Sequence, residues 1–330
     1  KMEAKLVPEA GYELKTIEIS GFWRSFSGEA IKHNIGTVRK LLKSSSQIKK
    51  IIDDFKPDLV IGFGGYVSGP VLRIAAKKGI PTAIHEQNAY PGVANKAVAG
   101  KVDRVMLTAK QAEQYMNPKN PCVVTGLPIR GDILKGDRDF ARAELNVGNK
   151  PLILSMGGSL GAKPVNDAIL GLILKKYQDN DCVFLHATGK NGAWFVEKLE
   201  SEGVDLKSNP HIKVVEYIDI PKCLAAEDLV ICRSGASTLS ELQALGKPSI
   251  LIPSPYVTEN HQYHNAMALV NNGAAEILEE KELSPETLTE RVNALLTDES
   301  KLKEIGRNAK NMAMIDSTQR IYKTLCEIMK

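Results

Sequence analysis

Between the apolar runs DLVIC and PSILIP lies RSGASTLSE, residues 233–241, whose side chains suit an anion followed by a polyol. Arg233, Ser234 and Gly235 make a turn, and Ser237 and Thr238 supply hydroxyls and an N-cap for a helix beginning there. The first N–H groups of a helix have no partner within it, so such a turn can hold a diphosphate. Glu241 falls in the first turn or two of that helix, where its carboxylate can accept two vicinal hydroxyls such as those of a ribose. An ordinary capped helix between two strands would show the same residue types. The rest of the chain has to separate the two readings.

Two further glycine turns follow apolar runs: GGYVSGP at 64–70 and GGSLGAKPVN at 157–166. Paired glycines permit positive φ and close backbone approach, and Ser159 fits both a helix cap and a phosphate contact. Neither turn is GxGxxG with an acid ending the next strand, and no GxxxxGK[ST] occurs. Dinucleotide and P-loop sites are therefore disfavoured. HEQN at 85–88 puts four polar side chains at a strand end, poor material for a sheet and good material for reading a polyol. His85 and Glu86 are the candidates for proton transfer there, against a hydrogen-bonded structural histidine, with Asn95 and Lys96 behind them. GLPIR, 126–130, sets Arg130 where a guanidinium fork could reach a diphosphate or make a surface ion pair. In ENHQYHNA, 259–266, Gln262 and Asn265 read as sugar-hydroxyl contacts. The spacing matches no HExxH or Cys/His set, and no DxD pair ends a strand, so no metal and no cofactor is expected.

These loops need strand C-termini to carry them. Runs at 58–65, 81–87, 104–108, 122–126, 151–158, 182–189, 212–218, 228–235 and 248–253 are short, continuous and apolar, as strands buried on both faces are. Helical periods separate them, including Ile31, Ile35, Val38, Leu42 and then Ile48, Ile51, Ile52, Phe55. Alternation of this kind predicts α/β architecture with two doubly wound parallel sheets and a cleft between them. A polar stretch at 130–150 reads as linker plus short helix. Residues 1–129 then form one domain and 130–316 a second. The opening residues read as the end of a helix followed by a strand, with the usual first βα unit missing.

Hydrophobic residues make up 43% and charged residues 25% of 330, the profile of a globular protein with room for two domains. The five cysteines lack CxxC spacing and mostly lie in apolar runs, which favours buried thiols. Net charge is +4, with a basic stretch at 21–50 that carries seven Lys/Arg and a single acid, Glu29. SGFWRSFSG places Phe22, Trp23 and Phe26 beside Arg24, ahead of a basic helix at 31–54. Aromatics with cations suit an anionic bilayer surface; no reading motif accompanies the charge, so nucleic acid is not expected.

The ordered set GGYVSGP, HEQN, GLPIR, GGSLGA, YID, RSGASTLSE and HQYHNA resembles the MurG family of bacterial UDP-N-acetylglucosamine:lipid I transferases, with matches from residue 2 to about residue 320. The resemblance implies a GT-B fold with the donor nucleotide on the second domain and a C-terminal helix, 317–330, packing back on the first. It implies an inverting transfer of N-acetylglucosamine to the 4-hydroxyl of the N-acetylmuramic acid of lipid I, giving lipid II, at the cytoplasmic face of the inner membrane, as a peripheral enzyme. By position, Ile218 holds the uracil through its backbone, and Ser159 and Arg130 lie near the diphosphate. The run Ala236, Ser237, Thr238, Leu239 and Ser240 lines phosphates and sugar, Glu241 takes the ribose, and Gln262 and His261 read the N-acetylglucosamine, with Asn88 reaching it from the first domain. The chain departs from the family in three places. The family's opening glycine-rich loop with its histidine is absent from the sequence, which reads as beginning after it, Leu127 stands where Asn is usual, and Leu160 stands where Gln is frequent. Other UDP-sugar enzymes of the same fold (a lipid glycosyltransferase or an epimerase), or a donor-binding form without turnover, are the alternatives.

Overall fold

The computed structural model describes residues 3–19 and 27–329; within 28–42 it gives side chains only for Glu29 and Lys32. Each of the nine apolar runs contains a strand. The first sheet is parallel throughout, in the order β1 (Val60–Gly62), β2 (Thr82–Glu86), β3 (Arg104–Leu107), β4 (Val123–Val124). The second comprises β5 (Leu152–Met156), β6 (Val183–Ala187), β7 (Ile212–Val215), β8 (Leu229–Cys232), β9 (Ser249–Leu251) and β10 (Glu276–Ile277). It is also parallel and runs β10-β9-β8-β5-β6-β7. Only two-residue β10 was absent from the apolar runs, being too short to show a pattern.

On the first domain α1 (Glu3–Glu9) buries no side chain, whereas α2 (Gly28–Phe55) seats Ile48 and Ile52 against Ala75 of α3 (Gly65–Lys77). The short α4 (Val93–Val98) follows β2 and closes a core of Leu72, Ile84, Val98, Val105 and Leu107. The strand expected in the opening segment does not form. Residues 12–19 carry no regular structure, and the Glu18 N–H donates instead to Gln47 Oε1 at 3.0 Å.

The second sheet is covered on both faces, as its apolar strands require. Leu152 and Leu154 point into one core, and Ile153, one residue out of phase, points into the other. The helices are α5 (Arg138–Glu144), α6 (Lys163–Lys176), α7 (Trp194–Ser201), α8 (Ile220–Ala226), α9 (Ala236–Leu245), α10 (His261–Val270), α11 (Pro285–Thr297) and α12 (Glu299–Asn311). The stretch at 130–150 is fastened down more firmly than a linker would be. Ile133 is fully buried, and Arg138 and Arg142 both reach Asp228, at 2.6 and 2.9 Å, while Asp228 also accepts the Leu152 N–H. The last helix, α13 (Ser317–Ile328), returns to the first sheet: Glu327 lies 4.0 Å from Arg104 of β3, and buried Ser317 backs onto Gly126.

Candidate active site

In the second sheet the chain leaves β5 towards β6 and β7, then returns at β8 and continues to β9 and β10. The crevice between β5 and β8 is thus a topological switch point, where open α/β sheets receive ligands. Met156 and Cys232 are register partners, so the turns that begin at Gly157 and Arg233 emerge side by side.

The turn after β8 leads into α9. Gly235 is the N-cap residue, with φ −70° and ψ 140°, and no side chain caps the helix. Ser237 and Thr238 therefore lie inside the first turn and do not act as caps, because the reversal needs only residues 233–235. The leading N–H groups of α9 are left without side-chain partners. Gly235 itself has a conformation any residue adopts, and nothing lies within 4 Å of where its Cβ would sit. Neither backbone nor packing demands glycine there.

Ser237 is exposed and Thr238 half-buried, while Leu239 is buried beside Leu242 in the core. The Leu239 side chain is spent on that core, so a ligand contact at this position would be to its backbone. Ser240 donates its hydroxyl to the Ala236 carbonyl at 3.0 Å. Glu241, half-buried, lies one turn beyond Ser237. Burial pushes its carboxyl above the ordinary value, with the Arg130 charge opposing this and the Asp132 charge adding to it. Arg130 is exposed and sits 3.8 Å from Asp132. Arg233 bonds Glu280 at 2.5 Å and the Ile252 carbonyl at 3.2 Å, which spends its guanidinium within the fold.

After β5, Ser159 is exposed but does not cap α6, whose N-cap is Ala162. The loop is laced through its backbone to the turn after β6: the Lys190 N–H donates to the Ser159 carbonyl, and the Asn191 N–H to that of Leu160. A Cβ on Gly161, at φ 79°, would stand 2.2 Å from the Thr188 carbonyl oxygen, so this close approach does require glycine. Ile218 precedes α8, which Asp219 caps through the Lys222 N–H. No turn or loop bond among the described residues uses the N–H or carbonyl of Ile218.

Two left-handed residues, Glu259 (φ 58°) and Asn260 (φ 49°), lead into α10. His261 bonds the Thr258 carbonyl through Nδ1 at 2.8 Å. Gln262 Oε1 accepts the Ser254 N–H at 2.9 Å, which spends its carbonyl on the loop and leaves its NH2 as donor. Asn265 is not available to a sugar. Its Oδ1 accepts the Ala89 N–H at 2.8 Å, and its Nδ2 donates to Asn88 Oδ1 at 3.0 Å and to the Ser234 carbonyl at 3.2 Å.

The HEQN turn proves equally occupied. His85 is buried, and Nε2 lies 2.8 Å from the Gly126 carbonyl. That bond makes Nε2 the protonated nitrogen, and burial holds the ring's pKa below its ordinary value. Glu86 is 1% exposed and accepts four hydrogen bonds, from the Asn88 N–H and Nδ2, the Gly92 N–H and Asn95 Nδ2, at 2.8–3.2 Å. Glu86 is spent on holding the loop together, whereas His85 is tied through Nε2 alone and its Nδ1 is buried without a hydrogen-bond partner. Asn88 shares its amide between Glu86 and Asn265. Ala89, which drew no attention in the sequence, sits in the second domain's core cluster. Its small size was the only signal.

Models of the glycosyltransferase family 28 N-terminal and C-terminal domains match residues 1–107 and 152–321. A UDP-N-acetylglucosamine--N-acetylmuramyl-(pentapeptide) pyrophosphoryl-undecaprenol N-acetylglucosamine transferase from Acetivibrio thermocellus is 45% identical, over 100% of this chain and 88% of its own. Among solved structures, Acinetobacter baumannii MurG aligns with a TM-score of 0.78 at 28% identity, over 99% of this chain and 88% of that one. A putative UDP-N-acetylglucosamine 2-epimerase from Listeria monocytogenes aligns over 93% and 81% with a TM-score of 0.65, but at 16% identity it shares the fold alone. Two parallel-sheet domains in the GT-B arrangement are what the structure contains. The chain belongs to glycosyltransferase family 28 and, within it, to the family of N-acetylglucosamine transferases acting on N-acetylmuramyl-(pentapeptide) pyrophosphoryl-undecaprenol.

Proposed function

We propose that this chain moves N-acetylglucosamine from UDP-N-acetylglucosamine to the 4-hydroxyl of the N-acetylmuramic acid in lipid I, producing lipid II. The observation that carries the donor half of this reading is the uncapped start of α9, roofed by a glycine the fold does not need. Such a start binds anions because its N–H groups and the helix dipole point at them. In this reading the diphosphate rests on the N–H groups of 236–238 and meets Arg130 and Ser159. Glu241 accepts the ribose hydroxyls, the backbone of Ile218 pairs with uracil, and Gln262 and His261 read the sugar. Asn88, already shared, contributes at most its remaining amide capacity.

The acceptor oxygen bonds the anomeric carbon as the bond to UDP breaks, with inversion, and the hydroxyl proton leaves to a general base. Holding both substrates in one cleft and stabilising the departing diphosphate provide most of the rate. The boundary at 129/130, and a peripheral contact with an anionic membrane on the cytoplasmic side, belong to the same reading. Exposed Lys32, Lys43, Lys49 and Lys50 on α2 support that contact, whereas Phe22, Trp23 and Phe26 lie outside the described residues. Among those described, no helix is long and apolar enough to cross a membrane.

UDP release from UDP-N-acetylglucosamine, with and without a soluble lipid I analogue, tests the proposal. Release that requires the analogue is expected. Release or sugar isomerisation without it would favour an epimerase, and binding without release a form lacking turnover.

A further inference from the structure

The loop after β2 crosses into the other domain. Ala89 belongs to the first domain by sequence, yet it is 4% exposed within the core formed by Leu239, Leu242 and Ala266 of the second. Its N–H is accepted by Asn265, a residue 176 positions away and itself 4% exposed. The same carboxamide donates to Asn88 on the first domain and to the carbonyl of Ser234, which opens the turn into α9. A primary amide has two donor hydrogens, and here both are used, together with one lone pair of its oxygen. Beside this contact the ring of Tyr90 stacks on that of His264, with centroids 4.7 Å apart, and Tyr115 and the Lys96 ammonium pack on the other sides of Tyr90.

We infer that Asn88–Tyr90 is the pivot between the domains and that Asn265 is a positioning residue, pinning the acceptor-side domain to the donor cradle. The pivot itself rests on the contacts above, and its effect on transfer rests on the proposed function. A buried plug with a satisfied polar pin fixes a point about which two bodies can rotate but not slide. Asn265 joins that point to Ser234, so the anomeric carbon held over α9 keeps a fixed distance from whatever the first domain holds. Losing the pin costs alignment, and misalignment lowers the rate of transfer more than it weakens either substrate.

The test is Asn265→Ala in the full chain, with three readouts. UDP affinity by calorimetry is expected to stay within about 3-fold, and kcat to fall at least about 30-fold with the donor KM little changed. Hydrogen exchange in the peptide spanning 87–92 is expected to lose protection, while that spanning 149–157 keeps it. Tyr90→Ala, at a half-buried site, is expected to lower kcat about 3- to 10-fold with unchanged UDP affinity, and serves if the first variant does not fold. A fall of 10-fold or more in UDP affinity with unaltered exchange at 87–92 would make Asn265 a direct donor contact and overturn the pivot. So would a kcat within 3-fold of the parent in both variants. Exchange needs no turnover, so a chain that transfers nothing at all would count against the functional reading and leave the pivot to be judged on exchange alone.

Discussion

Two polar turns at strand ends, RSGAST after β8 and HEQN after β2, look alike in composition and differ in what their polar atoms do. Around α9 the leading N–H groups lack a side-chain cap, Ser237 is exposed, and Gly235 faces open space. Around β2 the Glu86 carboxylate receives four hydrogen bonds, His85 is tied to Gly126, and Asn88 is divided between Glu86 and Asn265. The Glu86 carboxylate is spent on scaffold, whereas N–H groups left open at a helix start are where an anion can bind.

The sharpest way to break this contrast is Glu86→Ala. Removing a buried acceptor strands four donors, and a loss of about 3–5 kcal/mol is expected in urea unfolding, with UDP affinity of the folded protein unchanged. Unchanged stability with abolished transfer would restore Glu86 as a catalyst.

A second pair, the buried histidines, separates the domains by pH. His186 on β6 is held through Nδ1 to Ser155 Oγ at 2.8 Å, and burial lowers its pKa to about 4. The folded state then binds fewer protons than the unfolded chain between pH 6.5 and 4, so stability falls with falling pH across that window. The expected loss is on the order of 3 kcal/mol. His186→Gln keeps the hydroxyl contact and cannot charge. Its stability should be nearly flat over the same range, measured by urea titration at pH 4.5 and 7, and an equally steep decline would remove His186 as the cause.

Glu241→Ala acts on the open turn. UDP should bind roughly 10- to 100-fold more weakly, in keeping with the loss of charged hydrogen bonds worth about 1.5–3 kcal/mol, while unfolding stays close to that of the parent. Smaller still is Gly235→Ala: with φ −70° the methyl is not strained, so stability should hold or rise by about 0.4–1 kcal/mol, while UDP affinity drops about 10-fold. If affinity were retained, the space above α9 would not be where the phosphates go.

The nine strands were legible because short continuous apolar runs, several ending in glycine, are what strands buried on both faces look like; the β5–β8 crevice, which depends on strand order, was not. Helical phase made part of α9 legible too. Ser237 and Glu241, four apart, were both read as ligand contacts, whereas Leu239, read with them, shares the inner face with Leu242, three residues on. The capping of α9 was read wrongly because Ser and Thr are good caps wherever they fall, and only the geometry of the turn says that Gly235 comes first. HEQN was harder. Whether its polar atoms are open depends on Gly126, Asn265 and Ser234, which are brought to it from up to 177 positions away, and nothing local announces them. The strand expected near residue 17 failed for a comparable reason, since an apolar alternation shows a propensity and not a ladder partner.

A crystal structure of the full chain with UDP tests the central claim most directly. The account predicts the diphosphate oxygens within hydrogen-bond distance of the N–H groups at 236–238, and the ribose hydroxyls on the Glu241 carboxylate. A nucleotide seated elsewhere, with those N–H groups still facing solvent, would contradict it.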